Sequence, residues 1–326
     1  MPILNDHTTY RYVSRFGETT DVDVVGGKAA SLSRMAASGM PVPPGHTLTA
    51  QAYRDHLATS GLESAIAAEL AGRDPSDYAA QASVSARIQT MITEAPLPAE
   101  VVEEARNAYR TLTAAASDPK PVSVRSSATA EDLPGASFAD QHDTYLNVGS
   151  EQDMLRAVLN CWASLWSVHA IMYREAQNIA HHDVAMPVVV QHMLDPTVSG
   201  VAFTVNPVTA DATEIVINSC WGLGEAVVSG IVNPDHIVVS KENLAVTEFQ
   251  VANKDLMVVR DGNQGTKQVA LPSAKARARS LSAEQITSLC EIASTLEASY
   301  GAPQDIEFAF EGDTLSLLQS RPITTL

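Results

Sequence analysis

The segment Asp305-Ile306-Glu307-Phe308-Ala309-Phe310 leaves its backbone little choice. Bulky apolar residues alternate strictly with others, which is the period of a strand. Ile306, Phe308 and Phe310 fall on one face, Asp305 and Glu307 on the other. Glu311-Gly312-Asp313 is a turn signal and a second strand-like run follows, so the chain closes an antiparallel hairpin over Gln304 to Ile323. Unbroken alternation in the return strand puts Leu315, Leu317, Gln319 and Arg321 on one face. Folding about Gly312 brings Gln319 within about two positions of Glu307. A carboxylate, an amide oxygen and a guanidinium then gather at one end. The two oxygen donors suit Mg²⁺, which also takes ligands from phosphates, and Arg321 suits bidentate phosphate binding. A solvated surface hairpin would carry the same pattern.

The rest of the chain mixes helix and strand. Residues 24–39 read as a glycine turn opening a helix that Gly39 closes. Residues 40–49 form a Pro-rich entry into an extended stretch. The region from Ala50 to about Ala116 is helical, with breaks at Asp74-Pro75 and at Pro96 to Pro98. Pro121 to Arg125 is a short strand running into a small-residue loop, Ser126 to Phe138. Residues 151–180 are helical again. Ala185 to Met193 is a buried strand, since its valines run consecutively. Val198 to Asn206 and Glu214 to Ser219 are further strands, residues 222–235 a Gly-punctuated loop and helix, and Ser282 to Tyr300 a helix. There is no internal repeat and no low-complexity tract. The pattern predicts α+β lobes with ligand chemistry on loops.

Four other places could carry chemistry. Arg125 ends a strand and precedes Ser126, Ser127, Thr129, Gly135, Ala136 and Ser137, a loop able to present backbone N–H groups to an anion. No GKS or GKT follows, so this is not a Walker loop. Lys28 follows Gly26-Gly27 at a helix start, where a cation is unfavourable unless an anion is bound. Val188 to Leu194 is apolar and ends in polar backbone, which can sandwich a purine and bond its edge. Gly222-Leu223-Gly224-Glu225 is only a fragment of a dinucleotide fingerprint. Each could also be an ordinary loop, a solvated lysine or a core strand.

The formal net charge of −17 argues against a nucleic-acid partner, but two or three placed cations suffice for a nucleotide. No apolar run reaches the length of a membrane span, and the N-terminus is too polar for a secretory signal. Cys161, Cys220 and Cys290 show no metal or CxxC spacing, which predicts three reduced thiols in a cytosolic protein.

VGGKAASL (25–32), VPPG (42–45), VRSSATAEDLPGASFADQHDTYLNV (124–148), SGVAFTVNPVT (199–209), WGLGEAVVSG (221–230), DIEFA (305–309) and LLQSRPIT (317–324) occur in that order. In this the chain resembles the N-terminal nucleotide-binding domain of the phosphoenolpyruvate synthase and pyruvate phosphate dikinase family. Rifampicin phosphotransferase and the ATP-binding subunit of phenylphosphate synthase are similar. The resemblance spans nearly the whole chain. It implies an ATP-grasp fold of two lobes, residues 1–190 and 191–326, with ATP in the cleft. It implies that Lys28 and Arg125 bind phosphates, with Thr129 nearby and the loop at Gly135, Ala136 and Ser137 closing over them. Gln191 and Met193 would line the adenine pocket, and Glu307 and Gln319 would hold Mg²⁺ with Arg321 on the phosphates. Asp305, Glu214 and Glu225 are lesser candidates, the last two on the ribose side.

In the resembled reaction ATP becomes AMP, the β-phosphoryl rides on a histidine of a swivelling carrier domain and the γ-phosphate leaves as Pi. The acceptor is then pyruvate, an antibiotic or a phenol. This chain departs from the pattern in lacking the carrier's Ser-His-Ala loop. His46 follows the Pro-Pro-Gly turn, His142 reads as a structural group near the phosphate loop, and His181 and His182 read as a surface pair at a helix end. A carrier is therefore expected on another polypeptide or in the remainder of a longer protein. Two other functions fit the same fold: a self-sufficient ATP-grasp enzyme acting on a small acid, and a non-catalytic ATP-sensing module.

Overall fold

The computed structural model describes residues 11–72, 77–114, 120–130, 132–133, 136–137, 143–262 and 264–324. The chain divides into two compact units, one reaching to Ser33 and resuming over Pro44–His192, the other comprising Arg34–Pro43 and the chain from Met193 onward. The sequence placed a boundary at 190/191; the units part at His192/Met193.

The first unit contains β1 (Val13–Arg15), most of α1 (Val22–Ala37), β2 (Gly45–Leu48), α2 (Ala50–Thr59), α3 (Leu62–Ala71), α4 (Tyr78–Glu94), α5 (Ala99–Ala114), β3 (Val122–Ser126), β4 (Asp132–Leu133), β5 (Ala136–Ser137), β6 (Thr144–Val148), α6 (Glu151–Ser164), α7 (Val168–Ala176) and β7 (Val188–His192). Its antiparallel sheet runs β1-β2-β7-β3-β6. The consecutive valines 188–190 are fully buried, as befits the central strand. This strand begins at Val188, later than the expected Ala185, because the carbonyls of Ala185 and Pro187 accept from Thr129 and Ser127 instead of joining the ladder. The helices are amphipathic. In α5, Val101, Ala105, Tyr109 and Leu112 form the buried stripe. Ser150 and Ser167 cap α6 and α7 by accepting from the N–H groups of Asp153 and Ala170. Tyr53, Trp162 and Trp166 anchor the core, the indole of Trp166 donating to the Tyr53 hydroxyl at 3.0 Å.

The second unit contains β8 (Val198–Phe203), β9 (Glu214–Trp221), α8 (Glu225–Val228), β10 (Asp235–Ser240), β11 (Val246–Gln250), β12 (Leu256–Arg260), β13 (Thr266–Ala270), α9 (Ser273–Ala276), α10 (Ala283–Tyr300), β14 (Gln304–Glu311) and β15 (Thr314–Pro322). Its main sheet is antiparallel, in the order β11-β10-β9-β8-β14-β15. In register across four strands, Ile306, Ala202, Ile217 and Ile237 are all fully buried and define the core face. Helix α10, opened by a Ser282/Gln285 capping box, packs on β14 and β15 with Ile286, Leu289, Ala293 and Leu296 inward. The three cysteines are free and buried. No helix among the described residues is long and apolar enough to cross a membrane.

His46 is buried in β2, and its Nε2 meets no hydrogen-bond partner among the described residues. Burial, reinforced by the charge of Arg15, lowers its pKa from 6.5 to about 4. The unfolded chain therefore binds this proton more readily than the folded one. Stability from this group is complete above about pH 6.5 and is lost as pH falls toward 4, by about 3 kcal/mol at most. Urea unfolding at pH 7 and pH 4.5 should show a smaller acid loss in His46→Leu than in the wild type.

Candidate functional site

In the first unit the glycine turn and the Arg125 segment are built against each other. The helical run of α1 starts at Val22, ahead of the glycines, but is interrupted at Gly26, whose φ is 77°. Lys28 therefore stands just past a break, on the first turn of the continuing helix. A Cβ at Gly26 would lie 1.7 Å from the Ser127 carbonyl oxygen. The Gly27 N–H donates to Ala128 O at 3.2 Å. The Ser127 hydroxyl donates to Val25 O at 3.0 Å and accepts from the Ala29 N–H at 3.0 Å. Lys28 Nζ donates to Ser126 O at 3.0 Å, which ties the ammonium to the residue after Arg125. Thr129 is fixed from behind, its hydroxyl accepting from the Ala185 N–H at 3.0 Å.

Arg125 pairs with Val189, and Ser123 with Gln191 two positions away. Residues in register share a face, so Arg125 and Gln191 project from the same side of this sheet. Gln191 is almost fully buried. The structure thus brings together Lys28, Arg125 and Thr129, with Gln191 on the same sheet face as Arg125. Ala136 and Ser137 form β5, paired with Leu133 and Asp132. Gly135 and His142 lie outside the described residues.

In the second unit Glu307 and Gln319 are direct register partners, closer than the two-position estimate. The expectation that Leu315, Leu317, Gln319 and Arg321 share a face is corrected. A bulge makes Glu307 pair with Gln319 but Phe308 with Leu317, leaving Leu318 as the extra residue. The alternation changes phase there. Leu315 and Leu317 stay on the core face with Phe310 and Phe308, while Gln319 and Arg321 turn to the opposite face with Glu307 and Asp305. Arg321 Nε donates to Asp305 Oδ2 at 2.8 Å, so Asp305 orients the guanidinium.

Met193 belongs to this unit and is buried. Glu225, at the start of α8, accepts from the Thr266 hydroxyl at 3.0 Å. Glu214 accepts from the Asn206 amide at 2.8 Å, a loop contact. No group of three or more His, Cys, Asp or Glu side chains among the described residues could hold a metal ion. Glu307 and Gln319 supply two hard oxygen donors. That number fits Mg²⁺, which fills its octahedron largely from phosphate and water, better than a metal needing an all-protein cage.

Two features escaped the sequence reading. Leu256–Arg260 and Thr266–Ala270 form a hairpin around Asp261-Gly262, and β-prone runs flanking a turn signal could have revealed it. Lys254 and Asp235 form a fully buried ion pair, and nothing local in the sequence joins residues that far apart. His181 also differs from the surface pair expected: it is half-buried and its Nδ1 accepts from Arg174 Nε at 2.9 Å, while His182 is exposed.

Residues 22–326 match the family model described as "Pyruvate phosphate dikinase, AMP/ATP-binding domain". The chain is 43% identical over 307 residues to a probable phosphoenolpyruvate synthase of Methanocaldococcus jannaschii, covering 94% of this chain and 26% of that protein. It is 38% identical over an alignment of 360 residues to the phosphoenolpyruvate synthase of Pyrococcus furiosus, covering 97% of this chain and 44% of the relative. A rifampicin phosphotransferase of a Streptomyces species is 39% identical over 303 residues, covering 93% and 34%. The chain thus spans less than half the length of these relatives.

Proposed function

The chain belongs to the pyruvate phosphate dikinase AMP/ATP-binding domain family, and from that premise we propose that it is the Mg·ATP-binding component of an ATP-grasp phosphotransferase. It passes the β-phosphoryl of ATP to a histidine of a carrier domain, releasing AMP and Pi, for onward phosphorylation of a small molecule. The observation that carries this reading is the register pair Glu307–Gln319, set on the non-core face beside Arg321 by the bulge at Leu318. A carrier domain supplied from elsewhere accords with relatives much longer than this chain.

The residues divide the work electrostatically. Lys28 and Arg125 neutralise phosphate oxygens, the first as a point charge and the second bidentately. Arg321, oriented by Asp305, does the same from the hairpin. Glu307 and Gln319 would hold Mg²⁺, which would supply charge neutralisation to the phosphates and alignment for in-line displacement. Gln191 and Met193 receive the base, and Thr129 and the backbone at Ala136 and Ser137 contribute at the phosphates. An imidazole nitrogen of the carrier attacks the β-phosphorus and the α–β bridging oxygen leaves with the electron pair on AMP; a water then attacks the γ-phosphorus, the β–γ bond breaks, and Pi departs to leave the β-phosphoryl on the histidine.

Incubation with Mg²⁺, β-labelled ATP and a carrier bearing the acceptor histidine should give AMP, Pi and an acid-labile label on the carrier. ADP and Pi formed with a small acid alone would instead establish a self-sufficient kinase or ligase. Arg125→Ala is expected to slow carrier labelling by about 100-fold, the scale for removing one transition-state donor, with the unfolding midpoint unchanged.

A further inference from the structure

The β12–β13 hairpin reaches two segments used in the nucleotide reading. Its base is anchored in the core. Asp235 accepts from the Ala252 N–H at 2.9 Å and from the N–H and hydroxyl of Ser280 at 2.8 Å each, and it pairs with Lys254, both side chains fully buried. The Lys254 N–H donates to Ala276 O at 3.0 Å. These bonds fix where β12 begins. Its middle is tied to the glycine segment, because the Leu223 N–H donates to Val258 O at 2.9 Å and Gly222 bridges Val258 in parallel.

At its tip, Arg260 and Thr266 are cross-strand partners. The Thr266 hydroxyl donates to Glu225 Oε2 at 3.0 Å. Arg260 Nη2 donates to Asp195 Oδ2 at 2.9 Å, in the segment that opens with Met193. One register pair therefore holds both Glu225 and the chain just past Met193.

We propose that Arg260 and Thr266 are positioning residues for nucleotide binding, Thr266 aiming the Glu225 carboxylate and Arg260 fixing the Met193–Asp195 segment. The inference rests on the reading of Glu225 as a nucleotide-binding residue. A carboxylate only accepts hydrogen bonds, so the group it meets is a donor or a cation: a ribose hydroxyl or the metal carried by the nucleotide. Glutamate has several rotatable bonds, and anchoring one oxygen beforehand spares part of the ordering cost of binding.

The test is equilibrium binding of Mg·ATP to the full chain. Thr266→Val keeps the side-chain shape and removes the donor, and it should raise the dissociation constant about tenfold. The melting midpoint should stay within about 2 °C, and Thr266→Ser should restore the affinity. In a Glu225→Ala background, Thr266→Val should have no further effect, since its only route to the nucleotide is gone. Wild-type affinity in Thr266→Val, or an equal loss with and without Glu225, would overturn the inference. Wild-type protein that binds no Mg·ATP would instead overturn the proposed function itself, and this inference with it.

Discussion

Glu307→Ala is expected to lower ATP turnover by about 1,000-fold or more, the scale on which active-site electrostatics act, while the protein melts where the wild type does. The two halves of the expectation come from the two faces of β14. Ile306, Phe308 and Phe310 are fully buried and hold the strand to its core. Glu307 points the other way, opposite Gln319, and removing its carboxylate takes nothing from that packing. If Glu307 and Gln319 hold Mg²⁺ as proposed, the substitution removes one of two protein oxygen donors, the charged one. Glu307→Gln keeps shape and one oxygen, so raised Mg²⁺ should recover part of its rate and much less of the alanine variant's. Turnover measured across a Mg²⁺ series for the three proteins, with a thermal melt of each, checks this. An unchanged rate in Glu307→Ala would remove the hairpin from the site.

Gly26→Ala should destabilise the first unit by about 3 kcal/mol or more and weaken ATP binding with it. Two costs combine. The residue has a φ of 77°, which disfavours any side chain. An added Cβ would also lie 1.7 Å from the Ser127 carbonyl oxygen, in a backbone stretch whose Ser127 and Thr129 N–H groups donate to the carbonyls of Pro187 and Ala185. Relief would push apart the two stretches that carry Lys28 and Arg125. Gly39 separates the two costs, since its φ is 73° but nothing lies within 4 Å of an added Cβ. Gly39→Ala should therefore show only the conformational part, about 1 kcal/mol. Urea unfolding of both variants measures the difference. Equal losses would mean that the close approach at Ser127 has little energetic weight.

Local pattern revealed much of this architecture. The alternation through Phe310 and the turn at Gly312 gave the hairpin, the consecutive valines gave the buried strand β7, and the helix expected over Ser282 to Tyr300 is α10. What escaped was set by non-local partners. Alternation cannot foresee Leu318, because a bulge exists only relative to the strand beside it, and that single residue decides which face Gln319 and Arg321 occupy. The Lys254–Asp235 pair had no local signal either. The glycines before Lys28 read as a turn, but what requires Gly26 is Ser127, about a hundred residues away, which only the folded chain brings near. The tip of the β12–β13 hairpin was passed over for a different reason: Arg260 and Thr266 carry no motif, and their interest lies in what they touch.

The most direct measurement is a calorimetric titration of the chain with ATP, with and without Mg²⁺, in the wild type and in Glu307→Ala. One ATP should bind per wild-type chain, with an affinity that falls at least about tenfold when Mg²⁺ is withheld, and Glu307→Ala should bind weakly and respond little to the metal. Equal affinity with and without Mg²⁺ in the wild type, or a full Mg²⁺ response in Glu307→Ala, would contradict this reading.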